Sequence, residues 1–367
     1  MEDLTFASRD RITRDIQRLR ILLVGERFDY GDTRRGDSVN YYQLLLPLRS
    51  LSPGTRLYDF TQRTREIGRA SMNAELVSLV KAERPDVMIV CMYTDELEPA
   101  ALREVRRYST TVAYFYDDVW RQRYATFWAR HFDLVTTSDP SGPARFMRAG
   151  CDNALYVPFS FNEEIFHRVD VDTEYDVSFV GLCHPFRKWV VDRMRRAGIQ
   201  VSVFGYGWPV GRVTVDRMVE IFNSSRVNLN LSNSSQWDLR YLTSSPLAIA
   251  TNIKAGKDHE QVKMRHVEIA GAGGFQMSYW VNYLSDYFRP DEEISVYRSL
   301  EDLIAKVRYF LVHDDERSAI AAAGHRRAVS EHSGTHRLRK LLEYVVERDP
   351  RLRLAPITVH EEDRLVR

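Results

Sequence analysis

Cysteine is scarce in this chain: Cys91, Cys151 and Cys183 are the only three in 367 residues, far apart and without a CxxC pair. An odd number of scattered thiols fits a reducing compartment and excludes a structural zinc cluster. The 10 histidines show no HExxH spacing, so the sequence offers no built-in metal site. An excess of charge of one sign is also missing, since 52 basic side chains stand against 51 acidic ones for a net +1. Binders of polyanions carry a basic excess on some domain, so nucleic acid is not expected as a partner. No run approaches the roughly 18 apolar residues of a membrane span, and the opening MEDLTFASRDRITRD lacks the apolar core of a signal peptide. The expectation is a cytoplasmic protein without a membrane span.

What is there is an ordinary globular composition, 44% hydrophobic and 28% charged, and length for two domains at about 150 residues each. From Arg20 onward, short runs rich in Val, Ile and Tyr alternate with longer segments of helical period, the pattern of a parallel, doubly wound sheet. Runs at 20–25, 55–60, 86–93, 110–118, 133–139 and 154–160 read as the strands of a Rossmann-like domain over 1–160. Clustered acids without an apolar period read as a linker over 161–175. Strand-like runs resume at 176–181, 199–205, 226–232, 273–279 and 293–299, giving a second Rossmann-like domain over 176–330. A helix at 331–349 is expected to pack back on the first domain, and 350–367 to form a loosely held tail. The expected fold is α/β, two facing doubly wound domains with ligands in the cleft at the carboxyl ends of both sheets and a helical extension at the carboxyl terminus.

The richest stretch is HEQVKMRHVEIAGAGGFQM, 259–277, in which Glu260 and Glu268 stand 8 positions apart. Glu268 is read at the opening of a helix-to-glycine turn, where a carboxylate accepts two hydrogen bonds from a ribose diol. Gly271, Gly273 and Gly274 then let backbone amides approach a phosphate. Lys263 and Arg265 add cationic donors. An amphipathic helix with solvated charges and a glycine-rich cap fits the same residues. In GLCHPFRKWVVDRM, Gly181 leads to Arg187 and Lys188 at a helix start, suited to a diphosphate or to a solvated turn, with His184 in the same loop. In FGYGWPVG, Tyr206 and Trp208 either flank a nucleobase or pin a turn. Asn228, Asn230, Ser232 and Asn233 either read a ligand or satisfy neighbouring loops.

In the first domain Gly25, Gly31 and Gly36 form a flexible turn and not a GxGxxG fingerprint. Ser38 and Asn40 follow it, Ser38 being also a natural helix cap. Asp117 and Asp118 end the run 110–118, where they can orient an acceptor hydroxyl or serve as its base; the other reading makes Asp118 a cap for a helix near Val119. Ser138 and Asp139 invite the same two readings. The spacing of these acids is not that of a metal-binding DxD motif, and no cation is expected.

The runs DVSFVG, FGYGW, NSSRVNLNLS, KMRHVEIAGAGGFQM and EEISVYRSLEDLIAKVRYFLVHDDERSAIAAAGHRR carry a resemblance. They resemble the carboxyl-terminal domain of CgeB-type, spore-maturation-like glycosyltransferases, which are similar to the retaining family 4 glycosyltransferases of GT-B fold. The resemblance covers about residues 20–345. It implies transfer of a sugar from a nucleoside-diphosphate sugar to an acceptor hydroxyl or amine, with retention, and without a metal or other cofactor. It also implies a Glu-x7-Glu pair, with Glu260 near the transferred sugar and Glu268 on the ribose, and a basic pair at Arg187 and Lys188 on the departing diphosphate. The loop after the first strand faces the donor phosphates and the acceptor in such enzymes. Together these readings assign catalysis to Arg187, Lys188, Arg265, Glu260 and Asp118. Donor binding falls to Glu268, Gly181, His184, Tyr206, Trp208, Lys263, Gly271, Gly273 and Gly274, and the acceptor side to Gly36, Ser38, Asn40 and Asp117. Two rival functions fit the same architecture: a sugar-nucleotide 2-epimerase and a non-catalytic nucleotide-sugar-binding protein.

Overall fold

Strand β1 (Ile21–Gly25) is apolar on both faces: Ile21 and Leu23 enter one core, Leu22 and Val24 another. A strand covered by helices on both sides requires this. In β3 (Val87–Val90), Val87 and Ile89 join the side of Ile21, Met88 and Val90 that of Leu22. With β2 (Arg56–Asp59), β4 (Thr110–Ala113), β5 (Leu134–Thr137) and β6 (Ala154–Tyr156) they make a parallel six-stranded sheet in the order β2-β1-β3-β4-β5-β6. A second sheet joins β7 (Tyr175–Val180), β8 (Ser202–Phe204), β9 (Ser225–Asn230), β10 (Gln276–Tyr279) and β11 (Ser295–Tyr297), again parallel, in the order β11-β10-β9-β7-β8. In each sheet the order reverses beside the first strand, at β1 and at β7, which opens a crevice at the carboxyl ends. This is a computed structural model describing residues 16–234, 236–254, 257 and 260–352. The expected tail lies largely, and the opening segment 1–15 wholly, outside the described residues.

The strands are shorter than the apolar runs that announced them. The run 86–93 is strand only over Val87–Val90, and 110–118 only over Thr110–Ala113. The hydrophobic residues beyond, such as Cys91, Tyr114 and Phe115, remain apolar because the connections that carry the cleft are themselves buried. The first helix after β1 starts as a π-helical turn, Asn40–Leu45, before the α-helix Leu46–Leu51. Such turns recur at functional sites, and this one turns Asn40 and Gln43 inward, both buried.

The acidic stretch 161–175 does not run over the surface throughout. Phe161 and Phe166 are buried among Tyr42 and Phe159 on one side and Val267 and Ile269 on the other. Phe161 donates its amide to the His332 carbonyl and accepts the Gly334 amide, while Glu163 caps the same helix start at 2.9 Å. That helix, Gly334–Arg348, places Leu338, Leu341, Leu342 and Val345 in the core of Ile21, Leu23 and Leu48. The chain between the sheets is therefore a strap, and its two phenylalanines were hidden in the sequence by the charges around them. Truncation of Phe161 to Ala should cost about 3–5 kcal/mol, the range for a buried phenylalanine. Urea unfolding checks it, and a loss below about 1 kcal/mol would place Phe161 outside the core.

Candidate active site

The residues at the carboxyl ends of the two sheets meet in the cleft. After β4, Asp117 reaches across it: its Oδ1 accepts from Lys263 Nζ at 2.8 Å, and from Gln261 Nε2 at 3.3 Å. The Lys263 ammonium also lies 3.7 Å from the centre of the Trp120 ring, a cation–π contact. Burial lowers the Lys263 pKa to about 8, and Asp117 opposes that shift. Lys263 is the N-cap of the helix Met264–Gly271, and its amide donates to His266 Nδ1 at 3.0 Å. Burial brings the His266 pKa down to about 4, so the ring stays neutral and can hold the helix start.

The sequence reading set Glu268 at the start of a helix; it lies inside this one instead, because the helix already begins at Met264. Its carboxylate is buried and fully engaged. Oε2 accepts from Arg265 Nη1 at 2.6 Å, and Oε1 accepts from Gln43 Nε2 at 2.8 Å, a bond from the π-helical turn of the other half. Arg265 therefore answers a carboxylate one helical turn away. The expectation that Gly271, Gly273 and Gly274 turn amides toward a phosphate does not fit their geometry. They lie at the carboxyl end of the helix, where the amides of Ala272, Gly273 and Gly274 donate to the Glu268, Ala270 and Ile269 carbonyls. A Cβ on Gly271 would meet the Phe161 ring at 2.4 Å, and one on Gly274 the Asn228 side chain at 2.8 Å. Their close approach is to protein.

Arg187 and Lys188 do not act as a pair, because adjacent helical residues point apart. Arg187 turns inward and donates to carbonyls: Nη2 and Nε to Leu231 at 2.8 and 3.0 Å, Nη1 to Leu182 at 3.3 Å. No carboxylate lies within ion-pair distance of it among the described residues. Lys188 is on the exposed face and pairs with Asp192 at 2.8 Å. Glu260 stands among these cations: burial raises its pKa, outweighing the hydrogen bonds from Ser234 and then the charges of Lys263 and Arg187, which lower it. Its Oε1 accepts the Ser234 amide at 3.3 Å, and Oε2 has no partner among the described residues. Glu260 also lines a cavity of about 310 Å³ together with Ser138, Asp139, Tyr283 and Tyr287, from both halves of the chain.

Gly181 and Trp208 lock two loops together. The indole N–H donates to the Gly181 carbonyl at 3.0 Å and Trp208 is buried, so this ring pins a turn and does not flank a base. Tyr206, 64% exposed, stands at the tip of the same loop. His184 is the N-cap residue of the helix Pro185–Arg196, and burial and then Arg187 lower its pKa. Asn228 and Asn230 are spent inside the second sheet on Ser178, Phe222 and Gln276. Ser232 Oγ accepts from Gln236 at 2.7 Å.

On the first-domain side, Gly36 closes a tight turn at φ +79°, and Ser38 Oγ bonds the Glu26 carbonyl and accepts the Tyr41 amide, so Ser38 is a cap. Asn40 Oδ1 accepts the Glu26 amide at 3.1 Å. Asp118 caps nothing, since the next helix starts at Gln122 without a side-chain cap. Instead its Oδ2 accepts from Thr137 Oγ1 at 2.7 Å and Arg145 Nη2 at 3.0 Å, and burial pushes its pKa up to about 6. Ser138 bonds the Tyr116 carbonyl, and Asp139 the Ser141 amide. Gln43, Trp120, Gln261, His266 and Arg145 complete the cleft. Nothing in their sequence setting marked them, because each acts on a partner distant in the chain or through an unusual cap.

A family model described as glycosyl transferase-like matches residues 187–343. No curated protein matches the chain in sequence. Among solved structures, sucrose-phosphate synthase from Thermosynechococcus elongatus is 11% identical with a TM-score of 0.61, covering 90% of this chain and 100% of that one. A glycosyltransferase from Rickettsia africae is 9% identical with a TM-score of 0.59, covering 90% and 98%. HepE from Anabaena, solved in complex with UDP, is 9% identical with a TM-score of 0.56, covering 90% and 100%. The fold is GT-B: two Rossmann-like halves facing each other across a cleft. No helix among the described residues is long and apolar enough to cross a membrane.

The Lys263–Asp117 pair sets a pH dependence. Below about pH 8 Lys263 is charged and the pair is intact; above it the ammonium loses its proton and the attraction goes. An unfolded lysine keeps its proton to a higher pH, so the unfolded state binds more protons above pH 8 and this group alone makes stability rise there. Replacing Asp117 by Asn removes a contribution that holds the proton on, and should move the Lys263 midpoint below that of the native protein. Carbon NMR of the lysine ε positions reads both midpoints; an ordinary lysine value in the native protein would mean a hydrated side chain.

Proposed function

We propose that this protein transfers a sugar from a nucleoside-diphosphate sugar to a hydroxyl or amine of an acceptor. The observation that carries the reading is the cluster of Arg187, Lys263 and Arg265 around Glu260 and Glu268, at the carboxyl end of the second sheet and the start of the helix Met264–Gly271. A helix start flanked by cations is where a diphosphate binds. As the glycosidic bond breaks, negative charge grows on the leaving phosphate oxygen. Arg187, held by carbonyls and answered by no carboxylate at ion-pair distance among the described residues, is already oriented to meet that charge. Lys263 supplies a second positive charge, so we propose that the departing diphosphate needs no added cation. In this reading Glu268 takes the ribose hydroxyls, exchanging its bond from Gln43, and Glu260 lies beside the transferred sugar. Retention of configuration rests on the resemblance in the sequence. The neighbour solved with UDP supports a uridine nucleotide as the first donor to try.

Calorimetry with UDP, GDP and TDP tests the donor site. Glu268→Gln keeps the volume and one accepting oxygen but removes the charge that answers Arg265, and should weaken nucleotide binding by at least about tenfold, or about 1.4 kcal/mol, in a protein that circular dichroism shows still folded. Unchanged affinity would remove Glu268 from the site, and failure of all three nucleotides to bind would remove the donor reading. Conversion of a nucleotide sugar to its epimer without an acceptor would favour the epimerase.

A further inference from the structure

The helix Pro246–Lys254 turns its apolar side to solvent, the reverse of what a soluble surface asks of a helix. Its inward face holds Ala248, which joins the core of Trp189 and Tyr241, and Asn252, whose Oδ1 accepts the Gln236 amide at 2.6 Å. At about 100° per residue the outward face is Pro246, Leu247, Ala250 and Ile253, with Lys254 as its one charge. Leu247 is 64% exposed and Ile253 77%, and Ile249 beside them is also uncovered. Trp237 and Leu239, on the loop and short helix packed against this one, stand out as far. A hollow of about 300 Å³ lies alongside, lined by His184, Leu247, Ala250, Thr251 and Lys254. Three residues beyond the helix, Lys257 lies 4.5 Å from the centre of the Trp120 ring, so the patch stands on the lip of the cleft.

We propose that a second copy of this chain covers this face, the two helices packing antiparallel about a two-fold axis through Ala250. The spacing supplies the symmetry. Leu247 and Ile253 stand three positions to either side of Ala250, so the axis sets Leu247 of each copy against the partner's Ile253. The hollow that Leu247 lines receives that protruding side chain, and the small Ala250 lets the two backbones approach closely. A two-fold contact needs such a knob and hole on one and the same patch. Five apolar side chains uncovered by about half to three quarters offer on the order of 500 Å², the range in which an exposed patch marks an interaction site. With a polar edge this approaches the roughly 800 Å² a side of a specific interface. The charges nearby favour a protein over a bilayer. Anionic lipid draws clusters of unanswered Lys and Arg. At this edge Lys188 is answered by Asp192 at 2.8 Å, and Arg240 by Asp238 at 2.7 Å and by Glu301. An aliphatic face whose charges are settled at the edge has the makeup of an interface core.

Sedimentation equilibrium on the full chain tests the surface. The expected result is a dimer at concentrations on the order of 10 μM, and association weakened at least about tenfold in the double variant Leu247→Lys/Ile253→Lys. Both side chains are exposed, so circular dichroism of the variant should match that of the parent. Ala250→Cys in a Cys183→Ser background leaves only buried native thiols. With copper phenanthroline as oxidant it should join two copies by a disulfide across the axis. A monomer throughout, a dimer indifferent to the double variant, or no cross-link at position 250 would each overturn the proposal. So would a monomer that this face carries onto phosphatidylglycerol vesicles, with binding lost in the double variant, since that assigns the patch to a bilayer.

Discussion

A lysine taken out of water keeps its charge only where something answers it, and for Lys263 the answer comes from the opposite sheet. The pair with Asp117 is the charged member of a set of contacts that span the cleft. Gln43 meets Glu268, Gln261 meets the Tyr116 carbonyl, and Arg212 meets Asp29 at the rim at 3.0 Å. The rim pair is exposed enough that solvent screens it, and it adds little. The inner ones differ, because removing one partner leaves a buried group unanswered.

Some of the groups left without partners stand in the same place. Asp118, Glu260 and Gln261 each retain a buried polar atom unmatched among the described residues at or beside the cleft, while others, on Ser109, Trp189 and Tyr241 among them, lie away from it. The interior of the second sheet is the contrast. There Asn228 and Asn230, equally polar and equally buried, are bonded to Ser178, Phe222 and Gln276. An unmatched buried atom at a strand end facing a cleft, as on Asp118 and Glu260, is one that a ligand or water can still answer.

Much of this was legible in the sequence, for reasons that also mark the limit. Short continuous apolar runs located the strands, because strands covered on both faces must be apolar on both. Their ends were overestimated, because Tyr114 and Phe115 are buried by connections and not by the ladder. Glu268 and Arg265 were visible as residues of the right chemistry. Their partner Gln43 lies 225 positions away, and no local pattern reports such a bond. The glycines at 271–274 were misplaced because a glycine-rich turn looks the same at either end of a helix; only the start, fixed by the unusual Lys263–His266 cap, decides which end faces the cleft. Phe161 and Phe166 were masked by the acids around them.

The difference between Arg187 and Lys188 shows why residue type was a poor guide to role. Both are basic, adjacent and at a helix start, but one points inward to Leu231 and Leu182 and the other outward to Asp192. Each carbonyl that holds Arg187 fixes the plane of its guanidinium and leaves the positive charge uncancelled. A charge arranged in advance in this way needs no reorientation when an anion develops beside it, and it acts through a medium poorer in water than the surface. Lys188 would first have to leave Asp192 and order a flexible stem. On the proposed reading, electrostatic work in this cleft falls to the cation that the second sheet's connecting loops already hold in position.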